Sequence, residues 1–153
     1  MLEAGAEVPD VGAEDDAGTT VNLRDFAGKP LVVYFYPKAD TPGCTDETKQ
    51  FRDLYKDFRK KGAHVVGVSR DSVKAQAKFK EKYGVPFPLL ADVESEICDA
   101  FGVIVQKNMY GRKYQGIQRS TFLVGRNGAI KRVWPKVSVA GHASEVLKSL
   151  SAR

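Results

Sequence analysis

The sequence predicts an α/β protein with a central mixed β-sheet flanked by helices. Residues 31–36 form a continuous apolar run rich in β-branched and aromatic side chains, which is typical of a strand buried on both faces. Strand and helix patterns then alternate, and this alternation favours right-handed βαβ units with parallel strands. Further along, Asn127-Gly128 separates two apolar runs and predicts a hairpin. The hairpin adds an antiparallel pair to a sheet that begins parallel.

A long amphipathic helix is predicted after the first apolar strand. Four apolar residues recur at the i, i+3, i+4, i+7 spacing of one helical face: Phe51, Leu54, Tyr55 and Phe58. Gly62 marks the expected end of this helix. Cys44 then falls in its first turn.

The middle of the chain is predicted to alternate between short strands and helices. Strands are expected around residues 65–68 and 88–91. A helix between them carries three apolar residues: Val73, Ala77 and Phe79. It should close near Gly84, and residues 94–101 should form a further short helix.

The last third of the chain completes the predicted sheet. Residues 103–116 show little periodicity and contain two glycines, so we expect a surface loop there. Residues 121–124 and 129–133 are the expected hairpin strands. A closing helix is predicted from three apolar residues: Val146, Leu147 and Leu150. A mixed sheet with helices on both sides is the thioredoxin-like arrangement.

The size and composition of the chain are those of an ordinary globular domain. Its 153 residues, 42% of them hydrophobic, can bury a core, and we expect a single domain over residues 1–153. No segment reaches the roughly 18 apolar residues of a membrane span. The N-terminus has no basic region followed by an apolar run. We therefore expect a cytoplasmic protein with no membrane partner.

The charge pattern argues against nucleic acid as a partner. The net charge is +5 and the pI is near 9.2, which could favour polyanion binding. The lysines and arginines are, however, interleaved with acids, as in residues 49–61 and 74–82. This pattern is typical of solvated helix faces.

The cysteines and histidines exclude several kinds of site. Cys44 and Cys98 are too few for a disulfide scaffold and are not spaced as C-x-x-C, so neither a thioredoxin-type redox motif nor a zinc knuckle is expected. His64 and His142 are the only histidines. We therefore expect no bound transition metal and no cofactor.

Cys44 is the strongest candidate for a functional residue. It lies where a strand gives way to a helix, and the free N–H groups and positive dipole of a helix start stabilise a thiolate. Thr41, three residues earlier, can place its hydroxyl on the same small ligand. Pro37 and Pro42 stiffen the loop. The alternatives are an inert buried cysteine and a threonine that serves as a helix cap or turn residue.

These residues resemble the peroxidatic-cysteine loop of peroxiredoxins. Pro37, Thr41 and Cys44 fit the pattern P-x-x-x-T-x-x-C, within the longer string F-Y-P-K-A-D-T-P-G-C-T-x-E. Other segments follow in the family's order, among them V-N-L-R-D-F-A-G-K at residues 21–29 and G-I-Q-R-S-T-F-L-V at residues 116–124. Within the family, the chain is most similar to the bacterioferritin-comigratory, or Q-type, branch.

The resemblance implies a thiol-dependent peroxidase that acts on hydrogen peroxide and small organic hydroperoxides. Cys44 would attack the peroxide and become a sulfenic acid. Thr41 would orient the peroxide, and Pro37 would limit water near the sulfur or merely end the strand. Arg119, in the position of the family's active-site arginine, would contact both thiolate and peroxide, although the residues alone also fit a surface charge. Glu47 could hold Arg119, but the helix dipole favours an acid there regardless.

The second thiol of the reaction is absent from both positions that the resembled branch uses. Five residues after Cys44 stands Lys49, and residues 72–83, in the helix after the second strand, hold no cysteine. We therefore expect an external thiol, from thioredoxin or from glutathione with glutaredoxin, to resolve the sulfenic acid. Cys98 is the only internal candidate, and its apolar neighbours suggest a small core residue.

Two other functions share some of these features. A disulfide reductase or isomerase would need two nearby thiols, which the chain does not show. A redox sensor or holdase would use the oxidised state with little turnover. We expect the protein to be a monomer or a weak homodimer.

Overall fold

The computed structural model describes residues 1–150, so the predicted domain limit at residue 153 lies outside the described residues. A short 3₁₀-helix, Leu23–Phe26, follows the second strand. The strands and α-helices of the described residues are, in chain order, β1 (Gly12–Asp15), β2 (Thr20–Asn22), β3 (Leu31–Phe35), α1 (Pro42–Lys60), β4 (His64–Ser69), α2 (Val73–Tyr83), β5 (Leu89–Ala91), α3 (Glu96–Phe101), β6 (Ile104–Met109), β7 (Arg112–Ile117), β8 (Ser120–Val124), β9 (Ile130–Trp134) and α4 (His142–Ser149).

The central sheet has seven strands in the order β2-β1-β5-β4-β3-β8-β9. β3 pairs parallel with β4, and β4 pairs parallel with β5, whereas the remaining pairs are antiparallel. The parallel pairs follow from the helical crossovers α1 and α2, and the antiparallel β8–β9 pair follows from the predicted hairpin. The predicted mixed sheet of thioredoxin-like type is confirmed.

Two hydrophobic cores lie on opposite faces of this sheet. Side chains of β3 alternate between them: Val32 and Tyr34 belong to one core, and Val33 and Phe35 belong to the other. The first core includes buried residues of α1, α2 and α4, and the second includes those of α3. Because every residue of β3 is buried, the strand reads as a continuous apolar run.

The expectation of an irregular surface loop at residues 103–116 was wrong. β6 and β7 form a two-stranded hairpin there, apart from the main sheet. Its turn is Tyr110-Gly111, and both residues have positive φ, at 51° and 80°. This backbone is typical of a tight hairpin turn, but tyrosine is not a usual residue for it. Many residues of the hairpin, such as Lys113, are polar and exposed, so apolar residues do not alternate along its strands. The sequence pattern therefore did not indicate these strands.

The sequence analysis also did not predict the first two strands. β1 and β2 are only four and three residues long, and they carry few apolar residues. They extend the sheet through the pairing of β1 with β5. Among the helices of residues 1–150, none is long and apolar enough to cross a membrane.

Candidate active site

Cys44 lies in the first turn of α1. Thr41 occupies the N-cap position and Pro42 the first helical position, so the N–H groups of Gly43 and Cys44 precede the first helical hydrogen bond, from Thr45 N to Thr41 O (2.8 Å). These donors and the positive end of the helix dipole favour a thiolate sulfur. Cys44 is only 1% exposed, so a bulky reactant cannot contact its Sγ atom in this conformation.

Thr41 and Pro37 lie on the loop before this helix. The Thr41 hydroxyl donates a hydrogen bond to the Lys38 carbonyl (2.8 Å) and makes no capping bond with the helix. Since its proton is directed away, the hydroxyl oxygen can still accept a hydrogen bond from a peroxide O–H. Pro37 follows β3 by two residues and is an exposed residue of the loop that leads to Cys44.

Arg119 reaches the sulfur from a neighbouring strand. It directly precedes β8, whose first residue Ser120 pairs with Phe35 at the end of β3. The antiparallel register therefore brings Arg119 to the edge where the loop to Cys44 begins. Its Nη2 atom donates to Cys44 Sγ at 3.3 Å. Its carbonyl accepts a hydrogen bond from Val137 N at 2.9 Å, which fixes the backbone.

Glu47 binds the other side of the guanidinium. Arg119 Nη1 donates to Glu47 Oε1 at 2.7 Å, and Glu47 is 0% exposed. Among residues 1–150, Glu47 Oε2 has no hydrogen-bond partner. Burial raises the pKa of Glu47 from 4.5 to about 7, by more than the charge of Arg119 lowers it. Burial alone would lower the pKa of Arg119, but Glu47 and Cys44 raise it overall, so the guanidinium keeps its charge.

The guanidinium lies close to the backbone of Gly43. A Cβ atom at Gly43 would lie 3.1 Å from Arg119 Nη2, tighter than ordinary van der Waals contact. Glycine at this position therefore leaves room for the guanidinium beside the free N–H groups of the helix start. The guanidinium donates to the sulfur, and the free N–H groups of the helix start belong to the same turn, which is an arrangement suited to stabilising charge on a departing oxygen.

Cys98 lies in the core on the opposite face of the sheet. It is 0% exposed and shares that core with Phe101 and Phe122, whereas Cys44 belongs to the core on the α1 face. Burial, and then the hydrogen bond and charge of Asp92, raise the pKa of Cys98 well above its ordinary value. Both cysteines are free. The sheet therefore separates a buried, neutral Cys98 thiol from Cys44.

Sequence reasoning did not find two acidic residues that hold the Cys44 loop. Asp71 Oδ2 accepts hydrogen bonds from Ala39 N (2.8 Å) and from the Ser69 hydroxyl (2.7 Å). Asp40, to which the sequence alone assigns no role, binds side chains of α2. The one available signal was the position of Asp71 two residues after a buried strand, at the sheet edge where loops carry function.

Comparisons with known proteins decide the family. The model of the AhpC/TSA family matches residues 4–133. The chain is 49% identical to peroxiredoxin Bcp of Xanthomonas campestris over 152 residues, covering 99% of this chain and 95% of that protein. This chain is a peroxiredoxin of the AhpC/TSA family. The peroxiredoxin Bcp of Bacillus subtilis is 45% identical over 149 residues, covering 97% of this chain and 95% of that protein.

Solved peroxiredoxin structures share the fold. The structure of the X. campestris bacterioferritin comigratory protein, which was studied for its alkyl peroxide reduction activity, has a TM-score of 0.92 at 47% identity and covers 98% of both chains. That of Xylella fastidiosa PrxQ has a TM-score of 0.94 at 40% identity, covering 99% of this chain and 97% of that one. The resemblance to the bacterioferritin-comigratory, or Q-type, branch is confirmed.

Replacing Gly43 by alanine should slow the oxidation of this peroxiredoxin by peroxide without weakening its fold. The new Cβ must displace the Arg119 guanidinium by a few tenths of an ångström. Alanine also favours a helix over glycine by up to about 1 kcal/mol. We expect the second-order rate constant for Cys44 oxidation, measured by stopped-flow fluorescence, to fall about tenfold. The midpoint temperature of thermal unfolding should stay the same or rise.

Lys56→Ala, at an exposed position further along α1, is the matched control. It also introduces alanine into the helix but leaves the Arg119 guanidinium untouched. A Gly43→Ala rate constant within about twofold of the wild-type value would contradict the close guanidinium packing.

Glu47→Gln should flatten the pH dependence of stability. Because the folded pKa of Glu47 is raised to about 7, its contribution to stability is fully present below the ordinary value of 4.5 and is lost as pH rises through about 7. The loss is on the order of 3 kcal/mol at most. Urea denaturation at several pH values should show this decline in the wild type and a weaker one in Glu47→Gln.

Glu81→Gln, which neutralises an exposed carboxyl on α2, should keep the wild-type dependence on pH. If Glu47→Gln instead declines with the same slope as the wild type, the carboxyl of Glu47 does not titrate in this range.

Proposed function

We propose that this peroxiredoxin reduces hydrogen peroxide and small organic hydroperoxides with Cys44 as the attacking thiol. The observation that carries the proposal is the 3.3 Å contact between Arg119 Nη2 and Cys44 Sγ at the start of α1. A fixed positive charge and free N–H donors there stabilise the thiolate, which is the reactive form of cysteine. The alkyl peroxide reduction activity named for the X. campestris relative supports organic hydroperoxides as substrates.

The chemical step is an attack of the thiolate on one oxygen of the peroxide. The S–O bond forms as the O–O bond breaks, so the thiolate becomes a sulfenic acid and the departing oxygen leaves as water or an alcohol after taking up a proton. Thr41 orients the peroxide, and Arg119 stabilises the charge on the departing oxygen. Glu47 positions Arg119. Pro37, in the loop between β3 and α1, limits water near the sulfur.

An external thiol completes the cycle. It condenses with the Cys44 sulfenic acid to give a mixed disulfide and water, and a second thiol then releases reduced Cys44. The position of Cys98 in the core on the opposite face supports an external partner. Thioredoxin, or glutathione with glutaredoxin, supplies this thiol.

The cellular setting follows from the same chemistry. The chain works in the cytoplasm, where thiols stay reduced, and it does so as one thioredoxin-like domain that is a monomer or a weak homodimer. Its free cysteines support this setting. The alternative of a redox sensor or holdase with little turnover is not favoured, because the relatives are named as peroxiredoxins.

Cys44→Ser should abolish peroxide consumption and leave the fold intact, because serine is close to cysteine in volume but is no nucleophile here. Peroxide consumption with dithiothreitol or thioredoxin as reductant is the measurement, and circular dichroism checks the fold. Activity above a few per cent of wild type would contradict the assignment of Cys44, since loss of an essential group costs about two orders of magnitude or more.

Cys98→Ser should retain turnover with an external reductant. After one equivalent of peroxide, mass spectrometry of the wild type should find the Cys44 sulfenic acid or its mixed disulfide, because the sheet separates Cys44 from Cys98. A dominant Cys44–Cys98 disulfide, together with lost turnover in Cys98→Ser, would make Cys98 the resolving residue and overturn the external-thiol proposal.

A further inference from the structure

Asp40 has an unusual backbone beside the candidate active site. It directly precedes Thr41, and its φ of 60° is in the left-handed region, which non-glycine residues adopt rarely and at some cost. Aspartate tolerates this region better than most residues do, but contacts with the surrounding structure must still hold it there. The carboxylate of Asp40 is where these contacts occur.

Two side chains at the end of α2 bind this carboxylate. Tyr83 Oη donates to Asp40 Oδ1 at 2.6 Å, and Lys82 Nζ donates to Oδ2 at 2.9 Å and to Oδ1 at 3.3 Å. These bonds, first that of Tyr83 and then that of Lys82, lower the pKa of Asp40, which keeps the carboxylate charged at neutral pH. Hydrogen bonds to a charged acceptor are short and strong for their kind.

Tyr83 is held in place independently of Asp40. Its ring packs edge-on against Phe79, with ring centroids 5.5 Å apart. Its carbonyl accepts a hydrogen bond from Arg52 of α1 at 2.8 Å. Gly84, with φ of 62°, ends the helix directly after it. The end of α2 is therefore a fixed support to which the loop before Cys44 is attached.

The loop has few other attachments. Ala39 N donates to Asp71 at 2.8 Å, the Thr41 hydroxyl donates to the Lys38 carbonyl within the loop, and the Thr41 carbonyl accepts from Thr45 N of α1. Pro42 has no N–H to donate. Within residues 37–41, the contact of Asp40 with α2 is therefore the side-chain attachment to another element that lies closest in sequence to Thr41.

We propose that Tyr83 and Lys82 are positioning residues for Cys44: by binding Asp40, they hold Thr41 and the first turn of α1 in the conformation that attacks peroxide. The same contact keeps Cys44 closed to large thiols. This inference rests in part on the proposed function, since it assigns Cys44 and Thr41 their roles in peroxide reduction. Releasing Asp40 has two opposite effects, because peroxide attack slows while access of bulky reagents to Cys44 increases.

The test compares Tyr83→Phe and Lys82→Met with matched controls that lack the contact. Tyr110→Phe removes the hydroxyl of a side chain that is 99% exposed, and Lys78→Met removes an exposed charge from the same helix. We expect Tyr83→Phe to lower the rate constant for Cys44 oxidation by hydrogen peroxide about fivefold, with a smaller loss for Lys82→Met. The controls should match the wild type.

A second readout measures access to Cys44 without any peroxide chemistry. Reduced protein is labelled with N-ethylmaleimide or with a bulky polyethylene-glycol maleimide, and the Cys44 peptide is followed by mass spectrometry. The ratio of the two labelling rates cancels changes in the thiolate population. We expect Tyr83→Phe to shift this ratio about threefold or more toward the bulky reagent.

Asp40→Gly makes the test specific to the proposed contact. Glycine adopts the left-handed backbone freely but offers no carboxylate. In the Asp40→Gly background, Tyr83→Phe should have no further effect on either readout, because its partner is already gone. If the Tyr83 hydroxyl acts by a route other than its bond to Asp40, the effect of Tyr83→Phe persists in the Asp40→Gly background and the proposal is wrong.

The outcomes also separate this inference from the proposed function. Wild-type protein that is oxidised by peroxide no faster than a free thiol would end the peroxidase proposal, and the labelling ratio would still report whether the contact closes the loop. Unchanged oxidation rates and unchanged labelling ratios in both Tyr83→Phe and Lys82→Met would overturn the positioning role.

Discussion

The arginine between Glu47 and Cys44 is the charge on which the candidate site depends. Its side chain is 17% exposed, and a largely buried charge without a partner costs several kcal/mol. Glu47 supplies one partner and Cys44 the other. The strand β8 brings Arg119, whereas α1 brings both partners. The strand and the helix therefore cannot shift past one another without unpairing that charge, which ties the packing of the fold to the chemistry of the sulfur.

The balance within this cluster also matters for reactivity. A carboxylate that fully neutralised Arg119 would leave little positive potential for a thiolate and a departing peroxide oxygen. Burial raises the pKa of Glu47, so its charged form is less favoured than that of an exposed carboxylate. Its second oxygen, Oε2, has no hydrogen-bond partner among the described residues, which is part of the reason that the charged form is costly. The geometry thus fixes Arg119 through Glu47 without cancelling its charge.

Local patterns in the sequence predicted the elements that carry the candidate site. The apolar run of β3 and the helical periodicity of α1 place Cys44 correctly, and the family motif pointed to Arg119. The contact of Asp40 with Tyr83 could not be predicted, because it joins residues 43 positions apart and depends on how α2 packs. The hairpin β6–β7 was missed for a different reason. Its strands are mostly polar and partly exposed, so no alternation of apolar residues marks them.

The start of α1 must leave its first N–H groups free for a ligand and must also keep its first turn in place, and these two requirements conflict. Free N–H groups can meet a peroxide oxygen only if no side chain caps them, and Thr41 accordingly turns its hydroxyl to Lys38. An uncapped first turn that begins with proline has few hydrogen bonds of its own, so it is weakly held. In the proposed cycle, a sulfur that is 1% exposed must nevertheless become accessible to an external thiol after oxidation. Contacts from outside this turn, those of Asp71, of Tyr83 and of Arg119, therefore hold it in place. An opening that admits a thiol must withdraw Cys44 from the core on the α1 face and from Arg119.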